Sequence, residues 1–354
     1  MIGRGIMFSG PGEVSIDCFE VPSPGDGEIL IETIYSGISL GTERAHLRAE
    51  PNTLTHGGYF PFRPGYSNVG RIIKVGAAIS RFHIGQLVVT TLPHVSHATL
   101  GVSNELGTFP SPASTSSTDV RTLAPPSLVW PLADDLDENG LKASSTFMWL
   151  RVALAGIRRS RLEIGERVLV LGLGPIGLLA VQFARLAGAI DIHGVDINPV
   201  RREVAKANGA NSVYGNEAQA TEACEKLGFP DVVIDATGRP EVTTSAFRLC
   251  RPGGRVVLLG SNRGKSEGVD FYRDVHLKGL TVLGVHELTR PLAASVPGNW
   301  TGWDDGNVVL RLIEEGRLDF SRVITHQFDT ADAALAYDTL NTDPAAISAI
   351  FKWQ

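Results

Sequence analysis

At 354 residues, with 43% hydrophobic and 20% charged side chains, the chain is long enough for two domains with cores of their own, needing neither disulfides nor a structural metal. Acidic residues outnumber basic ones, 38 to 32, for a net charge of −6 without a long run of either sign, which argues against nucleic acid or an anionic membrane as partner. Cys18, Cys224 and Cys250 stand apart, Met1-Ile2-Gly3-Arg4 opens no apolar stretch and the longest apolar run is broken by glycine and proline, so the expectation is a cytoplasmic protein without membrane spans.

In chain order, residues 27–34, 70–76 and 85–90 read as short strands between Gly/Pro turns, which predicts a small β-rich domain of barrel or sandwich type. Residues 108–126 are rich in Ser, Thr and Pro and predict an exposed loop or insertion. From about Glu166 the rhythm becomes strand and helix in alternation. Residues 168–171, 190–195, 232–234, 256–259 and 280–285 are predominantly apolar, as parallel strands buried on both faces are. Ile176, Leu179, Ala180 and Phe183 recur at helical spacing between the first two of them. This alternation predicts a doubly wound α/β domain. After His286 the chain is irregular, then offers helices around 307–316 and 330–340 and a closing strand over 347–353.

Gly172-Leu173-Gly174-Pro175-Ile176-Gly177 follows the first apolar strand and opens the first helix, the context in which a GxGxxG run binds a dinucleotide. Gly172 permits the tight turn, Gly174 lets backbone approach a pyrophosphate, and Gly177 lets helix and strand pack closely. The helix start at Pro175 and Ile176 then offers amides and positive dipole to the phosphates. Asp196 ends the next strand about 20 residues on, where an acid takes the ribose hydroxyls of NAD and repels the 2′-phosphate of NADP. Capping the helix before Pro199 is the competing use of that carboxylate. Arg201 and Arg202 follow, and an arginine here stacks on adenine or pairs with phosphate, so NAD is favoured and NADP is the alternative. Thr237, Gly260 and Ser261 lie after two later strands and are expected to face the cofactor, because ligands of open parallel sheets sit outside the carboxyl ends of strands. Residues 260–266 imitate a P-loop, but the glycine spacing is one short and the strand before them is a late one, so nucleotide hydrolysis is not expected.

This order of parts, together with Pro64-Gly65, Val75-Gly76, Gly85 with Val88, Asp235 to Gly238 and Arg251-Pro252-Gly253-Gly254, resembles the medium-chain dehydrogenase/reductase superfamily over essentially the whole chain. The resemblance implies an α/β fold: a Rossmann doubly wound parallel sheet over 149–287 and a GroES-like β-rich catalytic domain over 1–148 and 288–354. It also implies that Val285 and His286 bring backbone near the nicotinamide carboxamide, and that a homodimer forms through the strand at 280–285.

Zinc alcohol dehydrogenases of that superfamily hold the metal through a cysteine in a Tyr-Cys-Gly-Val-Cys-His-like stretch, a histidine in Gly-His-Glu and a further cysteine. Here the first stretch reads Tyr35-Ser36-Gly37-Ile38-Ser39-Leu40-Gly41-Thr42-Glu43, the second Gly65-Tyr66-Ser67, and the third ligand falls near Ala143. The four-cysteine lobe has no counterpart in 92–107. A hydroxyl, a phenol and a methyl do not bind Zn²⁺ as thiolate and imidazole do, so no zinc is expected. Glu43, His46, His94 and His97 match no ligand spacing. The wording is similar to a zinc-lacking branch that includes bacteriochlorophyllide a dehydrogenase, which implies oxidation of a secondary alcohol (a polyol, sugar derivative or biosynthetic intermediate) or the reverse.

Without zinc, hydride transfer still needs a proton acceptor and a donor to the developing alkoxide. The candidates are the side chains in the vacated positions: Tyr66 as acid/base or donor, Glu43 to position it or take the proton, and Ser39 and Thr42 as donors to the substrate oxygen. Each has a structural use in competition, packing for Tyr66 and a helix start for Glu43. His94 and the imidazole of His286 are further candidates, and Trp300 and Trp303 form either a substrate wall or an anchor. Two other functions compete: a zinc-free NADPH-dependent quinone or enone reductase, against which Asp196 speaks, and a non-enzymatic nucleotide-binding protein.

Overall fold

The computed structural model describes residues 1–91, 97–98, 100–104 and 129–353; the Ser/Thr/Pro-rich stretch 108–126 and His94 lie outside them. The chain divides into two compact units, one of residues 1–148, 306–320 and 324–354, the other of 149–305 with 321–323. Among the described residues no helix is long and apolar enough to cross a membrane.

The first unit begins with an antiparallel hairpin of β1 (Ile2–Gly10) and β2 (Glu13–Glu20), which buries Ile6 and Phe8. β3 (Glu28–Ile38) is the central strand; α1 (Leu40–Leu47) follows it at once. β3 pairs antiparallel with β4 (Asn68–Val75), which continues through β5 (Leu87–Thr90); β6 (Leu100–Asn104) also pairs with β3, and β7 (Val129–Pro131) with β5. Ile29 and Ile31 pack with Ile72, Phe82, Val88 and Val129, whereas Leu30 packs with Val21 and Leu100. Both faces of β3 are therefore buried, which is why its sequence alternates imperfectly. Two register breaks opposite β4 bend the strand as β-bulges do. α2 (Glu138–Ser144) closes this part, capped by Asp137 through the Gly140 N–H at 2.7 Å.

α3 (Phe147–Ser160) leads into the second unit and its parallel sheet. The strands are β8 (Arg167–Leu171), β9 (Asp191–Val195), β10 (Ser212–Tyr214), β11 (Val232–Asp235), β12 (Arg255–Leu258) and β13 (Thr281–Gly284). Their spatial order is β10-β9-β8-β11-β12-β13, so the winding reverses between β8 and β11, the switch point at which doubly wound sheets take ligands. Helices α4 (Pro175–Leu186), α5 (Pro199–Ala207), α6 (Glu217–Leu227) and α7 (Pro240–Leu249) link the strands; Phe247 and Leu249 of α7 pack on Leu169, Val233 and Val256. β10 escapes sequence reading because it is only three residues long. β13 corrects one expectation. Its apolar run predicts burial on both faces, but Val282 is 39% exposed, since β13 is the last strand of the sheet and has a neighbour on one side only.

Segment 288–305, grouped by sequence with the β-rich domain, packs within the second unit. Buried charge holds it there. Arg290 donates to Glu287 at 2.8 Å and to Asp305 at 2.5 Å, Arg151 of α3 donates to Glu287 at 2.9 Å, and Arg158 of α3 pairs with Asp305. Arg158 also stacks over the Trp300 ring, so Trp300 is an anchor of this segment.

The chain returns to the first unit through α8 (Gly302–Glu314), β14 (His326–Asp329), α9 (Ala333–Thr342) and β15 (Ala349–Lys352). β15 lies antiparallel to the end of β3, pairing Ala349 with Ile38 and Lys352 with Tyr35. Tyr337, Leu340 and Phe351 pack there against Phe8, Ile38, Leu40 and Phe62.

Candidate functional site

In the second unit the predicted cofactor residues gather at the carboxyl ends of the strands. Gly172 leaves β8 at φ +84, and a Cβ there would lie 2.7 Å from the Thr237 methyl. Gly177 is held tighter still: a Cβ would meet the Gly172 carbonyl at 1.9 Å, so no other residue fits where α4 crosses the loop. α4 starts at Pro175 after Gly174, which makes no side-chain cap, and the space over Gly174 is open. No side chain caps the first-turn amides at this N-cap, the kind of helix start that accepts an anion.

Asp196 is 9% exposed and its carboxylate is held by two backbone amides, Leu173 N–H on Oδ2 and Asn198 N–H on Oδ1, each at 2.8 Å. The helix-cap role falls to Asn198, which accepts from Val200 N–H. Arg202 is committed to the carbonyls of Asp196 and Ile197 at 2.8 and 3.0 Å; Arg201 lies 3.9 Å from the Asp196 carboxylate. After β11, Thr237 donates to Asp235 at 2.6 Å; burial pushes that carboxyl up, against the pull of its hydrogen bonds to Thr237 and Thr243. Gly260 donates to the Asp235 carbonyl at 2.8 Å and Ser261 is exposed beside it. After β12 and β13, Val285 donates to Leu258, and the exposed His286 accepts the Leu288 N–H on Nδ1.

In the first unit, Ser39, Glu43 and Tyr66 come together. Ser39 sits between β3 and α1 as the helix N-cap position, yet its side chain caps nothing; its Oγ accepts from the Tyr66 hydroxyl. Thr42 lies half-buried in the first turn, its carbonyl accepting from His46 Nδ1 at 2.9 Å while the His46 ring stacks on Phe62. Glu43 is 2% exposed and fully engaged: Oε1 accepts the Ser39 N–H at 2.7 Å, and Oε2 accepts the Tyr337 hydroxyl at 2.6 Å and meets His97 Nε2 at 2.9 Å. His97 Nδ1 lies 2.7 Å from Ser36 Oγ, which accepts the Trp353 indole N–H at 2.8 Å. Every partner is satisfied with the imidazole hydrogen on Nε2: Trp353 donates to Ser36, Ser36 to His97, and His97 to Glu43. Burial, then the Glu43 carboxylate, pushes the Tyr337 phenol well above its ordinary range.

Sequence reading misses Ser36, Tyr337 and Trp353 and considers His97 only as a metal ligand. Their separations explain this: Ser36 and Trp353 are 317 positions apart and Glu43 and Tyr337 294, so no local pattern joins them. The one local signal is Gly65, at φ +91 beside Tyr66. Among the described residues no group of three or more His, Cys, Asp or Glu side chains is arranged to hold a metal.

Residues 175–296 match the family model described as "Zinc-binding dehydrogenase". The chain is 26% identical to (R,R)-butanediol dehydrogenase of Bacillus subtilis over 77% of its length and 81% of that protein's. It is also 26% identical to 2-desacetyl-2-hydroxyethyl bacteriochlorophyllide A dehydrogenase of Rhodobacter capsulatus, over 99% of this chain and 98% of that one. In fold it is similar to a solved short chain alcohol dehydrogenase from E. coli CFT073 complexed with cofactor NADH, at a TM-score of 0.79 and 19% identity over 99% of both chains.

Proposed function

The chain belongs to the medium-chain dehydrogenase/reductase superfamily, and from that membership we propose that it interconverts a secondary alcohol and its ketone using NAD and no zinc. The observation that carries the reading is the hydrogen bond from Tyr66 to Ser39, at the two positions that the resemblance assigns to metal ligands. A phenol and an aliphatic hydroxyl do not fit zinc, and no step here runs through a metal.

The nucleotide loop fits NAD. Uncapped amides at the start of α4 suit the pyrophosphate, and Asp196 keeps acceptor capacity for ribose hydroxyls beyond the two amides it already serves. Thr237, Gly260, Ser261, Val285 and His286 complete that assignment, with Arg201 beside the adenosine. Bound there, NAD supplies the hydride acceptor. Thr42 donates to the alcohol oxygen, beside which Ser39 spends its single hydroxyl hydrogen on Tyr66. Tyr66, as phenolate steadied by the Ser39 hydroxyl, takes the alcohol proton as the hydride leaves carbon with its electron pair; in reverse, the phenol returns it to the ketone oxygen. Glu43, with both oxygens occupied, is assigned to holding Ser39 rather than to proton transfer. The relatives' names, which designate a butanediol and a hydroxyethyl group, support a secondary alcohol as substrate.

We assign the protein to the cytoplasm, on its three free, separate thiols, with a small-molecule substrate and neither nucleic acid nor membrane as partner. The uncovered β13 edge supports a homodimer. Light scattering should report a dimer for the native chain and a monomer for Val282→Arg.

The test of the activity is incubation with NAD and a panel of secondary alcohols and polyols, with and without a chelator, while NADH absorbance is followed. Turnover that survives the chelator is the expected result. NADPH-driven reduction of quinones or enones, with silence across the alcohols, would overturn it, and NAD binding without any turnover would favour a non-enzymatic role.

A further inference from the structure

We propose that His97 is the positioning residue of the Tyr66–Ser39 pair, an inference that rests on reading that pair as the groups that handle the alcohol proton. The two members sit 27 residues apart, one just past the end of β3 and one just before β4; the β3–β4 ladder stops short of them, at Ser36 opposite Asn68 and the Gly37 N–H on the Ser67 carbonyl at 3.2 Å, so it does not by itself set their side chains. What they share is one imidazole.

His97 is 1% exposed and used on every side. On one side its Nε2–H holds Glu43 at 2.9 Å, and the other oxygen of Glu43 takes the Ser39 N–H at 2.7 Å. That bond fixes the backbone of the residue whose hydroxyl meets Tyr66. On another side His97 lies close under the Tyr66 loop through both ring and backbone: a Cβ on Gly65 would lie 2.7 Å from His97 Cγ, 2.9 Å from Cδ2 and 2.7 Å from the His97 backbone nitrogen, and Gly65 is the residue next to Tyr66. The ring's own orientation is set by Ser36 at Nδ1, locked in turn by Trp353, and by an edge-on contact with Phe351 at 5.1 Å. A shift or tilt of this ring therefore moves Ser39 through Glu43 and Tyr66 through Gly65 together. Reacting groups tolerate little of that, since about 1 Å of misplacement costs on the order of 100-fold in rate. Plain solvation of a buried carboxylate would need only the bond to Glu43; the contact under Gly65 and the Ser36–Trp353 lock tie the ring to the pair as well.

Two substitutions at His97 separate the roles. The amide of His97→Asn reaches only the Nδ1 position, keeping a partner for Ser36 and dropping Glu43; the amide nitrogen of His97→Gln reaches the Nε2 position and donates to Glu43 again. The readout needs no substrate: the full-length protein is labelled at tyrosine Cζ, the Tyr66 signal is assigned with Tyr66→Phe, and its ionisation midpoint is measured by NMR. A serine hydroxyl donating to the phenolate favours ionisation, so losing its alignment should raise the midpoint by about one pH unit in His97→Asn, with recovery in His97→Gln. Ser36→Ala, which removes only the hydroxyl that orients the ring, should shift it the same way by less. For any alcohol of the panel that is turned over, kcat should fall about 100-fold in His97→Asn with KM and NADH affinity unchanged. An unmoved Tyr66 midpoint in both His97→Asn and Ser36→Ala overturns the proposal, as does a His97→Gln protein that folds and does not recover. A native enzyme that oxidises no alcohol overturns the reading of the pair instead, and the titration still decides whether His97 sets it.

Discussion

A single oxygen atom separates the two readings of Tyr66, as acid/base or as a packed ring. Tyr66→Phe keeps the half-buried ring and deletes the hydroxyl that Ser39 accepts. If the phenol handles the proton, kcat falls about 10²- to 10⁴-fold, the usual worth of a positioned acid/base, while NADH affinity measured by fluorescence stays put. Asp196 is the matching probe of the cofactor. Asp196→Ala removes the carboxylate assigned to the ribose; a charged hydrogen bond of about 1.5–3 kcal/mol corresponds to a rise of roughly 10- to 100-fold in the NAD dissociation constant by calorimetry. NADP should lose less, and an NAD-to-NADP ratio that does not change would count against Asp196 as the selector.

At the scale of elements, the ties that matter run between segments remote in sequence. Asp305 has no exposed side-chain surface and is shared by Arg290 and Arg158, so Asp305→Ala takes one carboxylate from both: Arg290, just 6% exposed, keeps Glu287, and Arg158 keeps the Trp300 ring. Removing one partner of a buried pair costs about 3–5 kcal/mol, and urea denaturation should show a loss of that order. Nothing in 288–305 announces the tie; its prolines and tryptophans read as irregular chain. The strands and α4 were legible because an apolar run flanked by a glycine loop has few alternatives. The interior β11 and β12 bury their apolar runs as their sequence predicts, whereas β13, equally apolar, is exposed, and among the described residues no strand stands beyond it. Periodicity reports what a segment would bury, and its position in the sheet decides whether it does.

For the whole molecule, the buried phenols set an alkaline limit. Tyr337 is held well above the ordinary tyrosine range by burial and by Glu43, and Tyr35 is pushed up to about 12 by burial and by Glu138, to which it donates at 2.9 Å. Unfolded tyrosines ionise near 10. The neutral phenols therefore stabilise the fold fully below about pH 10, and that contribution is lost as pH rises from there toward the folded values. The melting temperature should drop between about pH 10 and pH 12, and more gently in Tyr337→Phe, whose starting value is lower because Glu43 has lost a donor.

Much was determined by the sequence alone: the doubly wound sheet, the glycine loop between β8 and α4, the acid after β9 and the serine and tyrosine at positions 39 and 66. Each is a local property, a run, a spacing or a residue type, and local properties survive being read one segment at a time. Only the tertiary structure decided that Glu43 is enclosed by Ser39, His97 and Tyr337 and that Trp353 reaches Ser36. It alone decided that 288–305 is anchored by Arg151 and Arg158. Those contacts join side chains from distant parts of the chain, and a buried polar group takes whichever partner the packing brings within about 3 Å, a choice that no pattern along the chain encodes.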